Sequence, residues 1–264
     1  MNAIDMHTHA FPDALAARAA ARLEGPAAPR MVAPPTTASL LASMDAAGID
    51  ASVVCTVATR GEQAGGILQW CEQIRSPRIV PFPSVHPDTP EAPRWIERIA
   101  SGGFRGVKLH AMHQQFVIDE PRMDGIYAAC RDCGLIVTFH CGCDFSAGDD
   151  DDRAAPQRVA RVLERFAGLR VVASHTGGWR MWDLVERHLL GRDVLFELSY
   201  TLAFLPPQRA AELFRRHGAG RVMFGSDWPW ADPADDLRRL ASLPLTAEEK
   251  EAIRWRNAAA LLGM

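Results

Sequence analysis

Residues 4–11 read IDMHTHAF, with His7 and His9 one residue apart and Asp5 two residues before His7. Imidazoles at i and i+2 leave an extended strand on the same face, so the pair can converge on one cation. With nine histidines in 264 residues, a His-x-His arises by chance about 0.3 times, so the pair needs company to mean metal. Company is present: GVKLH carries Lys108 and His110, VTFHCG carries His140, VVASHTGG carries His175, and VMFGSDWPW carries Asp227. Any one of these alone reads as a satisfied core or loop residue. Imidazoles grouped with a carboxylate favour zinc, or another first-row divalent ion such as manganese, over calcium or magnesium. A catalytic site of that kind keeps a position for water and lowers its pKa to about 7. His175 suits a ligand or a proton-transfer role equally on residue type.

The elements that must position these residues follow from two alternating textures. Short β-rich runs occur near 2–6, 51–57, 78–85, 104–109, 135–139, 169–174, 194–199 and 221–225. Between them lie segments with helical spacing: EAPRWIERIA, MDGIYAACRDCG, PQRVARVLERFAGL, PPQRAAELFRRHG and DLRRLASL. Several start after Pro, Asp or Thr and stop at Gly, as helix boundaries do. Eight strands, each followed by a helical segment, predict an α/β protein, a (β/α)8 TIM barrel forming a single domain over residues 1–264. The first interval, near 50 residues, has room for an extra helix or a loop over the mouth. Chemistry in such barrels sits at the C-terminal ends of the strands. Five of the eight predicted strands end in a His or Asp, and that shared placement turns weak single signals into a candidate metal site.

Composition narrows the partners. A net charge of −3, a pI near 6.3 and the lack of a basic run argue against nucleic acid and anionic membranes. No apolar stretch approaches the roughly 18 residues that span a bilayer, and the first 30 residues do not read as a signal peptide. A cytoplasmic protein with reduced cysteines is expected. Cys130-x-x-Cys133 and Cys141-x-Cys143 could form a zinc or redox site, but buried thiols are the preferred reading. The acidic run within SAGDDDDRAAP, residues 146–156, reads as a solvated loop leading into a helix.

The strand-end motifs together, DMHTHAF, GVKLH, FHCG, SHTGG and GSDWP, with the closing RNAAALLG, resemble the amidohydrolase superfamily, and within it amidohydrolase family 2. That group also contains decarboxylases of aminocarboxymuconate semialdehyde and of hydroxybenzoates. The resemblance covers nearly the whole chain. It implies one divalent metal ion held by His7, His9, His140 and Asp227, with His175 polarising the substrate or shuttling a proton and Asp227 doubling as general base. It makes Lys108 ambiguous between a metal bridge, a contact to a substrate carboxylate and a support of the barrel interior, and His110 a substrate contact. Trp179, Trp182, Trp228 and Trp230 follow the sixth and eighth strands, and Trp179 and Trp228 are the expected walls for a small-molecule substrate. The resemblance also allows a homodimer, for which the sequence carries no interface signal.

The expected activity is a metal-dependent hydrolase that uses a metal-activated water on a small carbonyl, lactone, ester or amide. The alternative is a metal-dependent non-oxidative decarboxylase with the same ligands. A non-catalytic barrel would predict an incomplete ligand set, whereas the set here is complete.

Overall fold

The computed structural model describes residues 3–24, 29–148 and 150–264. Asn2 of the first predicted strand and Asp149 of the acidic run lie outside the described residues. Among the described residues eight strands are formed: β1 Ile4–Thr8, β2 Ala51–Cys55, β3 Ile79–Phe82, β4 Gly106–Leu109, β5 Ile136–Phe139, β6 Arg170–Ala173, β7 Leu195–Glu197 and β8 Val222–Met223. All pairs are parallel, in the orders β1-β2-β3 and β4-β5-β6-β7-β8.

Bonds outside the regular ladders join the two sheets. Pro81 and Pro83 have no N–H to offer across the β3–β4 seam. The seam is made instead by the Lys108 amide donating to the Pro83 carbonyl at 3.0 Å and the Ser84 hydroxyl donating to the Lys108 carbonyl at 2.8 Å. At the other seam the Met6 amide donates to the Phe224 carbonyl at 2.9 Å, and Thr8 bridges Trp228. The result is the closed (β/α)8 barrel that the strand count predicts.

Helices α1 Asp13–Leu23, α2 Thr37–Ala47, α3 Ala64–Ile74, α4 Ala92–Ser101, α5 Asp124–Asp132, α6 Pro156–Arg165, α7 Trp182–His188, α8 Pro207–His217 and α9 Pro233–Ser242 follow the strands. Their boundaries match the sequence signals: Thr36 caps α2 by accepting from the Ser39 amide, and α4, α6, α8 and α9 carry Pro in the first turn. The long first interval holds both α1 and α2. Its connecting segment is tied to the β8 loop by the Val32 amide donating to the Pro229 carbonyl at 2.8 Å. No helix among the described residues is long and apolar enough to cross a membrane.

Two further helices, α10 Ala247–Glu251 and α11 Asn257–Leu262, end the chain around a π-turn at Ala252–Arg256. Ala258, Ala259 and Leu262 pack against Ile4, Met6, Val53, Phe82 and Met223. Apolar packing thus plugs one end of the barrel and leaves the polar strand ends to the other. Of the cysteines, only Cys133 is exposed, and none belongs to a group able to hold a metal among the described residues.

Gly106 in β4 has no space for a side chain: a Cβ would meet the Phe82 ring at 2.5 Å and the Ile136 carbonyl oxygen at 2.6 Å. Gly106→Ala is expected to lower unfolding stability by about 1–3 kcal/mol, measured by denaturant titration. An unchanged midpoint would contradict this packing.

Candidate metal centre

The centre begins with how β1 meets β8. The β1–β2 register slips between Asp5 and Thr8, so β1 bulges where its alternation would otherwise be strict. Asp5 Oδ1 accepts from the His7 amide at 3.0 Å and the Ser226 amide at 3.0 Å, while the Ser226 hydroxyl donates to Asp5 Oδ2 at 2.5 Å. Asp5 is thus an internal brace between the first and eighth strand ends. Burial pushes its carboxyl up to about 7, against the lowering effect of the Ser226 bonds. The Asp227 amide donates to the His7 carbonyl at 2.8 Å, and Asp227 takes a left-handed backbone with φ 67°.

Three ligand-type atoms converge from these strands. His7 Nε2 and His9 Nε2 lie 3.0 Å apart, and Asp227 Oδ1 lies 3.4 Å from the first and 3.2 Å from the second. The outward contacts of each ring decide which nitrogens carry hydrogen. His9 Nδ1 faces the Cys55 carbonyl at 2.8 Å, which can only accept, so Nδ1 carries the proton and Nε2 a lone pair. His7 Nδ1 faces Glu197 Oε1 at 2.8 Å and donates to it, leaving the His7 Nε2 lone pair turned inward. Two lone pairs and a carboxylate oxygen therefore point at one another. Such a triangle is repulsive by itself and suits a cation.

The edges also fit one. Ligands about 2.0–2.1 Å from a metal are separated by roughly 3.3 Å in a tetrahedron and roughly 3.0 Å in an octahedron. The observed 3.0, 3.2 and 3.4 Å span both geometries. The donor set accordingly accommodates zinc and manganese alike.

The same chemistry repeats beside it. His140 Nε2 donates to the Cys143 carbonyl at 3.0 Å, and His175 Nδ1 faces the Ser199 carbonyl at 3.1 Å. Their remaining nitrogens, His140 Nδ1 and His175 Nε2, are 3.0 Å apart with lone pairs facing each other. Lys108, fully buried on β4, donates to His7 Nε2 at 3.1 Å and to the Ser174 hydroxyl at 3.3 Å.

Burial and neighbouring positive charge keep these imidazoles neutral. His7 is held well below the ordinary histidine range by burial and then by Lys108. His140 is pushed down to about 3 by burial and His110, and His175 to about 4 by burial and His140. Burial alone would raise the Asp227 carboxyl, but His7 and His9 outweigh it and hold the group below the usual carboxylate range.

Backbone strain gathers here as well. His175 and Thr176 take φ values of 59° and 54°, which a β-branched residue such as Thr rarely adopts. The turn is held by the Thr176 amide donating to the Glu197 carbonyl at 2.7 Å and the His175 amide donating to Glu197 Oε1 at 3.1 Å.

The structure thus brings His7, His9 and Asp227 into one three-atom group, with Lys108 against His7. His140 meets His175 and belongs to a different group, with His110 and Asp144. In that group His110 stacks on His140 with ring centroids 4.1 Å apart, and its Nε2 lies 3.5 Å from Asp144 Oδ2. Trp228 is fully buried, Trp179 nearly so among Phe145, Tyr200 and Phe204, and Trp230 approaches His9 at 5.3 Å between centroids. Trp182 donates from its indole nitrogen to the His175 carbonyl at 3.2 Å. Sequence reasoning missed Glu197, Ser199 and Asp144. An acid inside the apolar run VLFELS was the one available signal for Glu197.

A family model described as amidohydrolase matches residues 4–264. The comparison with curated proteins finds no match. Similar solved structures include an uncharacterized TIM-barrel protein from Bordetella bronchiseptica, at 20% identity and a TM-score of 0.74, covering 100% of this chain and 99% of that one. The 5-carboxyvanillate decarboxylase of Novosphingobium aromaticivorans, complexed with manganese and 4-hydroxy-3-methoxy-5-nitrobenzoic acid, gives 18% and 0.71, covering 100% and 96%. A probable 2-pyrone-4,6-dicarboxylic acid hydrolase from Acinetobacter baumannii gives 17% and 0.71, covering 100% of both chains. Likeness at these identities shows the fold.

The neutral imidazoles set a pH dependence for the metal-free protein. An unfolded imidazole takes up its proton near pH 6.5, whereas His140 and His175 stay neutral in the fold down to about 3 and about 4. Below pH 6.5 the unfolded state binds more protons, so stability present above 6.5 is lost as pH falls toward 4. His7 and His110 add to this loss, while Asp5 and Asp236, raised to about 7 and about 6, oppose it. Denaturant titrations of metal-free protein between pH 6.5 and 4.5 are expected to lose about 1–3 kcal/mol per pH unit. A flat profile would contradict neutral buried imidazoles.

Proposed function

The chain belongs to the amidohydrolase family, and on that premise we propose that it is a metal-dependent hydrolase of a small carbonyl, lactone, ester or amide substrate. The observation that carries this reading is the convergence of the His7 and His9 lone pairs on the Asp227 carboxylate, beside the pair His140 and His175, whose free nitrogens face each other. Hydrolysis needs a group that takes a proton from water; with His7, His9 and His140 reserved for the cation, the Asp227 carboxylate and His175 Nε2 are acceptors at neutral pH. Decarboxylation instead needs a proton donor for the carbon that loses carbon dioxide; His175 carries no proton on its inward nitrogen, and Lys108 Nζ is engaged by His7 Nε2 and the Ser174 hydroxyl.

In this reading His7, His9 and Asp227 would hold the cation with His140 as the further ligand, and the ion would be zinc, with manganese the alternative. The bound ion would supply Lewis acidity toward the substrate oxygen and bring the pKa of water to about 7. The Asp227 carboxylate would accept a proton from water beside the two imidazoles and return it to the leaving group. His175 Nε2, neutral and buried, is placed to take or pass that proton, its ring fixed by the bond of Nδ1 to Ser199. Lys108 brings fixed positive charge beside His7, where a substrate oxygen gains negative charge. His110 and Trp179 flank the substrate, and Trp228 backs the β8 loop that carries Asp227.

Hydrolysis is tested by incubating the zinc- or manganese-loaded protein with lactones and esters, beside hydroxybenzoates, in 18O-labelled water. Label in the product is expected, with loss of turnover after chelation and recovery on adding metal back. Asp227→Asn is expected to reduce turnover about 10²–10⁴-fold. Carbon dioxide release without incorporation of label would overturn hydrolysis.

A further inference from the structure

The seventh strand supplies no metal ligand in the reading above, yet it holds a fully buried acid. Glu197 and Ser199, two residues apart in FELSY, lie on one face at the end of β7. Glu197 Oε1 accepts from His7 Nδ1 at 2.8 Å, the His175 amide at 3.1 Å and the Ser199 hydroxyl at 2.8 Å, while Oε2 accepts from the Ser199 amide at 2.8 Å. The Ser199 hydroxyl oxygen in turn lies 3.1 Å from His7 Nδ1 and 2.9 Å from His175 Nδ1.

The direction of the serine hydrogen decides what this cluster does. Once the hydroxyl donates to Glu197, its oxygen can only accept from the two imidazoles. Both Nδ1 atoms must then carry hydrogen, and both Nε2 lone pairs must face the centre. Without the carboxylate, the serine hydrogen is free to turn toward His7 Nδ1. The imidazole proton would then be free to sit on Nε2, which would remove the lone pair that a cation needs.

Gly225 is a second, independent sign that the chain is shaped around this acid. A Cβ at Gly225 would fall well inside contact distance of Glu197 Oε2 and lie 3.3 Å from the His7 Cβ. The turn after β8 thus leaves the space that the carboxylate fills.

We infer that Glu197, accepting directly from His7 Nδ1 and holding the hydrogen of the Ser199 hydroxyl, is the positioning residue that locks the tautomer of His7 and thereby sets the metal affinity of the centre. The inference rests on the metal-site reading above. Outer groups that orient a metal-bound histidine are worth about 10–100-fold in metal affinity.

The test measures zinc affinity by competition with a chromogenic chelator in wild type, Glu197→Gln and Gly225→Ala, with circular dichroism checking the fold. Imidazole ¹⁵N spectra of the metal-free proteins report the tautomers directly. A folded variant is expected to bind zinc about 10–100-fold more weakly, with the His7 proton redistributed between its two nitrogens. Zinc affinity within twofold of wild type and unchanged ¹⁵N signals in a folded variant would overturn the inference. If Glu197→Gln does not fold, Gly225→Ala decides by the same readouts, since it displaces the acid without removing its charge. Wild-type protein that binds neither zinc nor manganese would overturn the site reading instead, and the ¹⁵N comparison would then decide the role of Glu197 alone.

Discussion

The centre depends on one constraint: the outward nitrogens of its imidazoles face groups that only accept hydrogen. Main-chain carbonyls of Cys55, Cys143 and Ser199 and the carboxylate of Glu197 fix the protons outside, so the lone pairs turn inward. A carbonyl cannot reverse a hydrogen bond, so main chain fixes His9, His140 and His175, whereas His7 depends on the Glu197 side chain. The cost is a set of buried bases gathered around a carboxylate and an ammonium. Left-handed backbone at His175, Thr176 and Asp227 adds a conformational penalty of about 1–3 kcal/mol each.

Barrel closure and ligand placement use the same bonds. The amide of Asp227 donates to the carbonyl of His7, and Asp5 ties the amides of His7 and Ser226 together. Closing β8 onto β1 therefore also brings Asp227 to His7 and His9. At the opposite end, α11 packs Ala258 and Leu262 against interior residues such as Ile4, Met6 and Met223, which keeps that floor apolar. The polar end is left to side chains from β1, β4, β5, β6, β7 and β8, held on a rigid frame while the loops beyond them are free to vary.

Much of the frame was legible because strand periodicity and helix caps are local. All eight β-rich runs became strands; α4, α6, α8 and α9 carried Pro in the first turn and α2 began at Thr36, and α2, α4 and α8 stopped at Gly48, Gly102 and Gly218. His7, His9 and Asp227 were legible because residue type and strand-end position coincide. What set the protonation of His9 and His140 was not, since the carbonyls of Cys55 and Cys143 leave no mark in a sequence. Glu197 was hidden because an acid within a three-residue strand looks like an outward polar residue until the barrel closes around it. Lys108 could be placed on β4 but not oriented; only the fold turns its ammonium onto His7. His140 was readable as a strand-end histidine, yet its pairing with His175 depends on the loop at Cys143 that takes its Nε2 hydrogen.

The central claim is that the lone pairs of His7, His9 and Asp227 meet on a cation. The most direct measurement is anomalous diffraction at the zinc and manganese absorption edges from crystals of metal-loaded protein. The account predicts one strong peak about 2.0–2.2 Å from His7 Nε2, His9 Nε2 and Asp227 Oδ1. Metal bound instead at His110 and Asp144, with His7 and His9 sharing a proton across their 3.0 Å contact, would contradict it.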